Sequence, residues 1–156
     1  MTGRAEVSRL EQRLEAVFAR ASLAGTDLEL QSDMARYLCV LISGYLEQAI
    51  IELLLEHTRQ RAQPSVLRHV EQRLRRFANP KVQRISDLMG GFDSDWRVQL
   101  EAFAVDERRD AENSVVDLKN TIAHGQSVNV TLSRTKRYYE QAKSVIACIA
   151  DLTVPE

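Results

Sequence analysis

Turn-forming residues are scarce in this sequence, which has six glycines and three prolines among 156 residues. An all-β fold of this length would need many more, because tight turns between strands depend on glycine and proline. Long uninterrupted apolar runs are also missing, since none reaches the ~18 residues of a membrane-spanning helix. The stretch from Arg4 to Arg20 is too charged for a signal peptide. These absences favour a helical domain that does not enter a membrane.

Cysteine and net charge exclude further classes of protein. Cys39 and Cys148 lie in apolar runs, so we expect buried free thiols and a reducing, cytoplasmic location. The sequence has no H-E-x-x-H, C-x-x-C or P-loop pattern, so we expect no metal site and no cofactor. A net charge of −1 gives no overall signal for nucleic acid or membrane.

Hydrophobic periodicity predicts an all-α fold, an antiparallel bundle of about six to seven helices in a single domain over residues 1–156. The second helix is the longest, and its centre from Val40 to Leu55 is apolar on more than one face, which indicates burial by several neighbours. Gly90-Gly91 is predicted to be a turn, and Val128 to Val130 an extended connection or brief strand. The first five predicted helices cover residues 5–23, 29–61, 64–78, 80–89 and 95–103; a sixth begins near 106 and a seventh near 132.

Positive charge is concentrated between residues 57 and 86. This segment has eight basic residues against the single acid Glu71, a net charge of +7, so the rest of the chain carries −8. Seven of the eight are arginines. One guanidinium group can bind two oxygens of a phosphate at once. Arg73 and Arg76, three residues apart, are the best candidates for a shared RNA phosphate. A solvated surface balanced by acids on neighbouring helices is an equally good explanation of the segment.

The stretch from Val115 to Gly125, V-V-D-L-K-N-T-I-A-H-G, is the best candidate for a functional site. Two sets of residues, each spaced by 4, 3 and 4 positions, form two stripes on different faces of a helix that ends in this stretch. Gly125 is typical of the residue that ends a helix. We expect the apolar stripe to face the core and the polar stripe to be free for a partner. The apolar stripe is Ala111, Val115, Leu118 and Ile122, and the polar stripe is Asn113, Asp117, Asn120 and His124.

The segment K-N-T-I-A-H-G resembles the R-N-x-x-A-H-G signature of the HEPN superfamily, and within it the RiboL-PSP type of HEPN domain. Three further segments resemble the same family: G-Y-L-E-Q-A-I-I-E-L-L-L-E from Gly44, R-F-A-N-P-K from Arg76, and, loosely, T-x-x-R-x-Y-Y after the motif. Together they cover roughly residues 30 to 150. The first position of the motif departs from the family, because Lys119 stands where the signature has arginine. Lysine keeps the charge but loses the planar fork that grips a phosphate twice.

The resemblance implies a metal-independent endoribonuclease that cleaves single-stranded RNA, in which two motif helices meet in a homodimer and form one cleft. Lys119, Asn120 and His124 would be its catalytic residues, with histidine as base or acid and the lysine stabilising the phosphate. A toxin or defence effector with an antitoxin or inhibitor partner fits this activity. The alternative is a non-catalytic helical module that binds RNA or protein. Lys119 favours the alternative, and the intact Asn120 and His124 favour the enzyme.

Overall fold

The computed structural model describes residues 2–156, which form seven α-helices and one short 3₁₀ turn, without a β-strand. The predicted all-α fold is therefore confirmed. The turn, Ser22–Ala24, joins the first two helices. The helices are α1 (Gly3–Ala21), α2 (Leu28–Arg59), α3 (Pro64–Leu74), α4 (Val82–Phe92), α5 (Ser94–Phe103), α6 (Asp106–Ala123) and α7 (Leu132–Thr153).

Helix α2 lies at the centre of the bundle and contacts α1, α3, α6 and α7. By length and composition it is apolar enough to span a membrane, but 67% of its apolar window is buried inside the bundle. Its apolar character is therefore explained by packing against several helices at once. Its fully buried side chains include Leu38, Ile42, Leu46, Ile50, Leu53 and Leu54.

Helix α1 runs antiparallel to both α2 and α7. At its beginning, Gly3 packs on α2 so closely that a Cβ atom would lie 2.9 Å from the Glu52 carbonyl oxygen. Beside it, the Arg4 Nε donates a hydrogen bond to the Val154 carbonyl oxygen at 2.8 Å. At the other end, the last turn of α1 lies beside Leu132, the first residue of α7. The start of α1 and the end of α7 therefore meet at one end of the bundle, and the α6–α7 connection lies at the other.

The predicted turn at Gly90-Gly91 is wrong, because both glycines lie inside α4. The helix continues to Phe92, whose ring stacks on Trp96 at 6.2 Å between centroids. The chain turns only at Asp93, whose side chain accepts the backbone N–H of Asp95 and so begins α5. Aromatic packing and a carboxylate cap thus move the turn two residues beyond the glycines.

Two other predicted elements differ from the structure. Helix α3 ends at Leu74 rather than near residue 78, and the following segment is irregular. Its Phe77 is buried, and Asn79 has a left-handed φ of 54° before Pro80, which prevents the helix from continuing. The connection from Val128 to Val130 is irregular and forms no strand in the described range.

Both cysteines are free, as predicted, although only Cys39 is fully buried and Cys148 is half-buried. Burial raises the pKa of the Cys39 thiol to about 12. This thiol is therefore uncharged and acts as a small apolar core residue.

Candidate functional site

The apolar stripe of α6 faces the core, as predicted. Ala111 and Val115 are buried, and Leu118 and Ile122 are half-buried and packed against the core. Because α6 contacts both α2 and α7, this stripe fixes the rotation of the helix in the bundle. The side chains at its C-terminal end are thereby held in a defined orientation.

The polar stripe of α6 is divided between two roles, and the prediction that all of it is free is wrong. The Asn113 Oδ1 accepts the backbone N–H of Val82 at 3.1 Å and so satisfies the first turn of α4. One turn later, Asp117 pairs with Lys81, with 2.6 Å between Oδ1 and Nζ. These two residues attach α4 to α6. Only the last part of the stripe is left for a ligand or a partner.

Lys119 and Asn120 are adjacent half-buried residues in the penultimate turn of α6. The Lys119 ammonium group donates a long hydrogen bond to the side-chain amide of Asn120, with 3.5 Å between Nζ and Oδ1. This contact leaves the NH₂ group of Asn120 available as a donor. A cation and an amide donor are thus placed together, and both interact well with phosphate oxygens.

Glu47 of α2 is a residue of this site that the sequence analysis missed. Burial raises the pKa of its carboxyl group, and the positive charge of Lys119 partly offsets that increase. The carboxyl group and the ammonium group therefore interact across the packed α2 and α6 helices. Glu47 is one of two acids in the mostly apolar centre of α2, and Glu52 is the other. An acid inside such a run was the signal that could have identified it.

His124 is the C-cap of α6 and is held by a regular helix stop. Gly125 follows with a left-handed φ of 76°. Its N–H bonds to the Ile122 carbonyl oxygen at 3.0 Å, and the Gln126 N–H bonds to that of Thr121 at 3.2 Å. These two bonds form a Schellman motif. The exposed His124 imidazole has no hydrogen-bond partner in residues 2–156, so it is accessible to a ligand.

The replacement Gly125→Ala is expected to lower the free energy of unfolding by about 1 kcal/mol, because a Cβ atom disfavours the left-handed conformation. Urea denaturation measures this change. Gly44→Ala is the matched control, since Gly44 is exposed in the middle of α2 and a Cβ there would meet no atom within 4 Å. That control should instead gain about 0.5–1 kcal/mol. Equal effects of the two replacements would contradict the role of the helix stop.

Arg73 and Arg76 are both exposed, but only Arg73 lies in α3, since the helix ends at Leu74. Neither forms an ion pair in the part of the chain that the structure describes, whereas Arg75 between them pairs with Glu71 at 3.0 Å. The segment that follows reaches α6 through the contact of Lys81 with Asp117. The basic region is therefore linked directly to the helix that carries the motif.

A second unexpected feature of α6 is the carboxyl group of Glu112, which is only 1% exposed. Neither of its oxygens has a hydrogen-bond partner among the described residues. Burial raises its pKa to about 8. Glu112 is therefore protonated at neutral pH, since an unpaired charge at this position would be strongly unfavourable.

Comparison with known proteins gives one match. The family model of RiboL-PSP-HEPN matches residues 6–154, nearly all of the chain. No curated protein matches, and neither does any solved structure. The matched range includes Lys119, Asn120 and His124 as well as the basic segment and Glu47.

Proposed function

The chain belongs to the RiboL-PSP-HEPN family, and from that premise we propose that it is a metal-independent endoribonuclease acting on single-stranded RNA. The observation that carries the proposal is the exposed imidazole of His124, one helical turn from Asn120 and accessible at the end of α6. Histidine titrates near neutral pH and can transfer protons in either direction. Lys119 places a positive charge beside Asn120.

The reaction begins when the ribose 2′-hydroxyl attacks the adjacent phosphorus atom. His124 accepts the proton of that hydroxyl, and the bond from phosphorus to the 5′-oxygen breaks as the new P–O bond forms. The 5′-oxygen leaves with a proton from an acid, so that the products are a 2′,3′-cyclic phosphate and a 5′-hydroxyl. Lys119 and the Asn120 amide stabilise the charge that develops on the non-bridging oxygens.

A homodimer supplies the second proton-transfer group. One protomer contributes a single His124, which cannot be protonated and unprotonated in the same turnover step. Two α6 helices related by a twofold axis would place two imidazoles in one cleft, one as base and one as acid. The end of the polar stripe, with half-buried Asn120 and exposed His124, is the surface through which they would meet.

Arg73 and Arg76 extend the site along the RNA backbone. Both guanidinium groups are exposed and free of ion pairs within residues 2–156, so they can bind phosphates without first breaking a contact. Lys81 holds this segment against α6. RNA that reaches His124 would therefore have its neighbouring phosphates near a positively charged surface.

Lys119 supports a second candidate function, a non-catalytic module that binds RNA. Lysine gives one point charge where a guanidinium group would give two parallel hydrogen bonds to a phosphate. The charge of Lys119 acts on the carboxyl group of Glu47, so an ionised Glu47 reduces the positive potential that a phosphate would meet at Lys119. Both effects weaken the stabilisation of the transition state more than they weaken RNA binding.

The replacement Lys119→Arg separates the two functions. If the protein is an enzyme whose activity is attenuated by lysine at position 119, we expect cleavage of a fluorescent single-stranded RNA to rise about 10-fold or more. The reason is that a bidentate contact replaces a point charge. Lys136→Arg, an exposed change on α7, is the control and should have no effect. If the unchanged protein and Lys119→Arg both bind RNA and neither cleaves it, the binding module is established. Failure of both to bind or cleave RNA would overturn both functions.

An endoribonuclease of this kind would act as a toxin or defence effector in the cytoplasm, where RNA substrate is present. An antitoxin or inhibitor protein that covers His124 is the partner that such an activity requires. Such a partner would co-purify with this chain, and RNA cleavage would recover when the partner is released.

A further inference from the structure

A groove between α1 and α2 lies on a part of the bundle that the proposed nuclease site does not use. It has a volume of about 610 Å³, and no residue of α6 lines it. Its floor is apolar and includes the buried side chains of Leu14, Val17 and Tyr45. The groove is therefore a preformed concave surface with a poorly hydrated apolar floor.

The α2 wall of the groove continues as an exposed apolar stripe. Leu30, Tyr37, Leu41 and Gly44 are separated by seven, four and three residues, which places them on one face of the helix. Leu30 is 44% exposed and Tyr37 is 52% exposed. At Gly44 a Cβ atom would meet nothing within 4 Å. Large exposed apolar residues in one row indicate an interaction surface, and the glycine allows close approach of another backbone.

Positive charge borders the groove on the α1 side. Arg13 and Arg20 line it, both exposed, and no acidic side chain lines it. Neither arginine forms an ion pair in residues 2–156, whereas Arg9 on the same helix pairs with Glu6. Seven residues, or about 10 Å along a helix axis, separate the two arginines. Two unpaired guanidinium groups thus lie two helical turns apart along one apolar groove.

We infer that this groove binds an acidic amphipathic helix of a partner protein. Two turns of such a helix match the distance between Arg13 and Arg20. Apolar side chains at positions i, i+3 or i+4, and i+7 fill the floor, and flanking carboxylates bind the two arginines. The concave shape favours a helix over a bilayer surface, which is flat on this scale.

The test uses the full chain and a labelled helical peptide of about 14 residues with leucines at i, i+4 and i+7 and glutamates beside them. Fluorescence anisotropy should show saturable binding. Gly44→Phe should weaken binding about 10-fold or more, because the ring occupies the groove, and the double change Arg13→Glu and Arg20→Glu should do the same. Gly91→Phe is the matched control on α4, where a Cβ is equally unobstructed.

A peptide with lysines in place of the glutamates should bind at least about 10-fold more weakly to the unchanged protein. The inference fails if the acidic peptide does not bind, or if it binds Gly44→Phe and Gly91→Phe equally. It also fails if the protein instead binds vesicles of phosphatidylserine and phosphatidylcholine through Arg13 and Arg20. RNA cleavage should be unchanged in all of these variants, so this result is independent of the nuclease proposal.

Discussion

Replacing His124 by alanine is expected to lower RNA cleavage by about 100-fold or more, since proton transfer by a positioned histidine contributes at least that factor. The fold should be unaffected, because the imidazole is exposed and makes no hydrogen bond within residues 2–156. Substitutions at such positions change the free energy of unfolding by about 0.5 kcal/mol or less. Initial cleavage rates of single-stranded RNA, measured beside the melting temperature, check both statements.

His69→Ala is the matched control, since His69 is also exposed but lies on α3 in the basic segment. It removes an imidazole without touching α6, so its cleavage rate should equal that of the unchanged protein. Full cleavage by His124→Ala would remove the enzymatic function. Equal losses in both variants would show that the imidazoles act through RNA binding rather than through proton transfer.

The contribution of Glu112 to the stability of the protein is expected to fall as the pH rises from about 4.5 to about 8, because this carboxyl group is buried without a partner. The unfolded chain releases this proton near the ordinary value of 4.5, whereas burial raises the pKa to about 8 in the folded protein. The folded state therefore holds more protons in this window. The contribution of Glu112 to the free energy of unfolding is highest below pH 4.5 and decreases by about 1.4 kcal/mol per pH unit up to the folded pKa.

The replacement Glu112→Gln tests this directly, because glutamine has a similar shape and does not titrate. Urea denaturation at several pH values should show a slope that is smaller by about 1.4 kcal/mol per unit, with a higher stability than the unchanged protein at pH 8. Glu140→Gln, at an exposed position on α7, is the control and should keep the original slope. Identical pH profiles for the unchanged protein and Glu112→Gln would show that Glu112 is ionised and paired in solution.

The order and type of the helices followed from the sequence because apolar spacing decides which face of each helix is buried. Ala111 and Val115 show this on α6, since both are buried where the spacing predicts. The Gly90-Gly91 turn was wrong because glycine permits a turn but does not require one. The contact of Phe92 with Trp96 depends on the tertiary structure.

The candidate site was only partly predictable, because some of its contacts also depend on the tertiary structure. The spacing of Lys119, Asn120 and His124 can be read along one helix, whereas the interaction of Lys119 with Glu47 depends on how α2 and α6 pack. Glu112 could have been found, because it lies one turn before the buried Val116 and so on the apolar side of α6. A carboxyl group at that position indicates either a partner or a raised pKa.

The hydrogen bond from Arg4 to Val154 has a practical consequence for handling the protein. It fixes both of those residues at the pole remote from the α6–α7 connection, and α7 alone, with 22 residues, spans about 33 Å between the poles. A fluorophore, affinity label or fused domain attached beside either residue would thus sit far from the imidazole. Surface immobilisation through that pole leaves the opposite one open to the proposed polynucleotide substrate and the proposed second protomer.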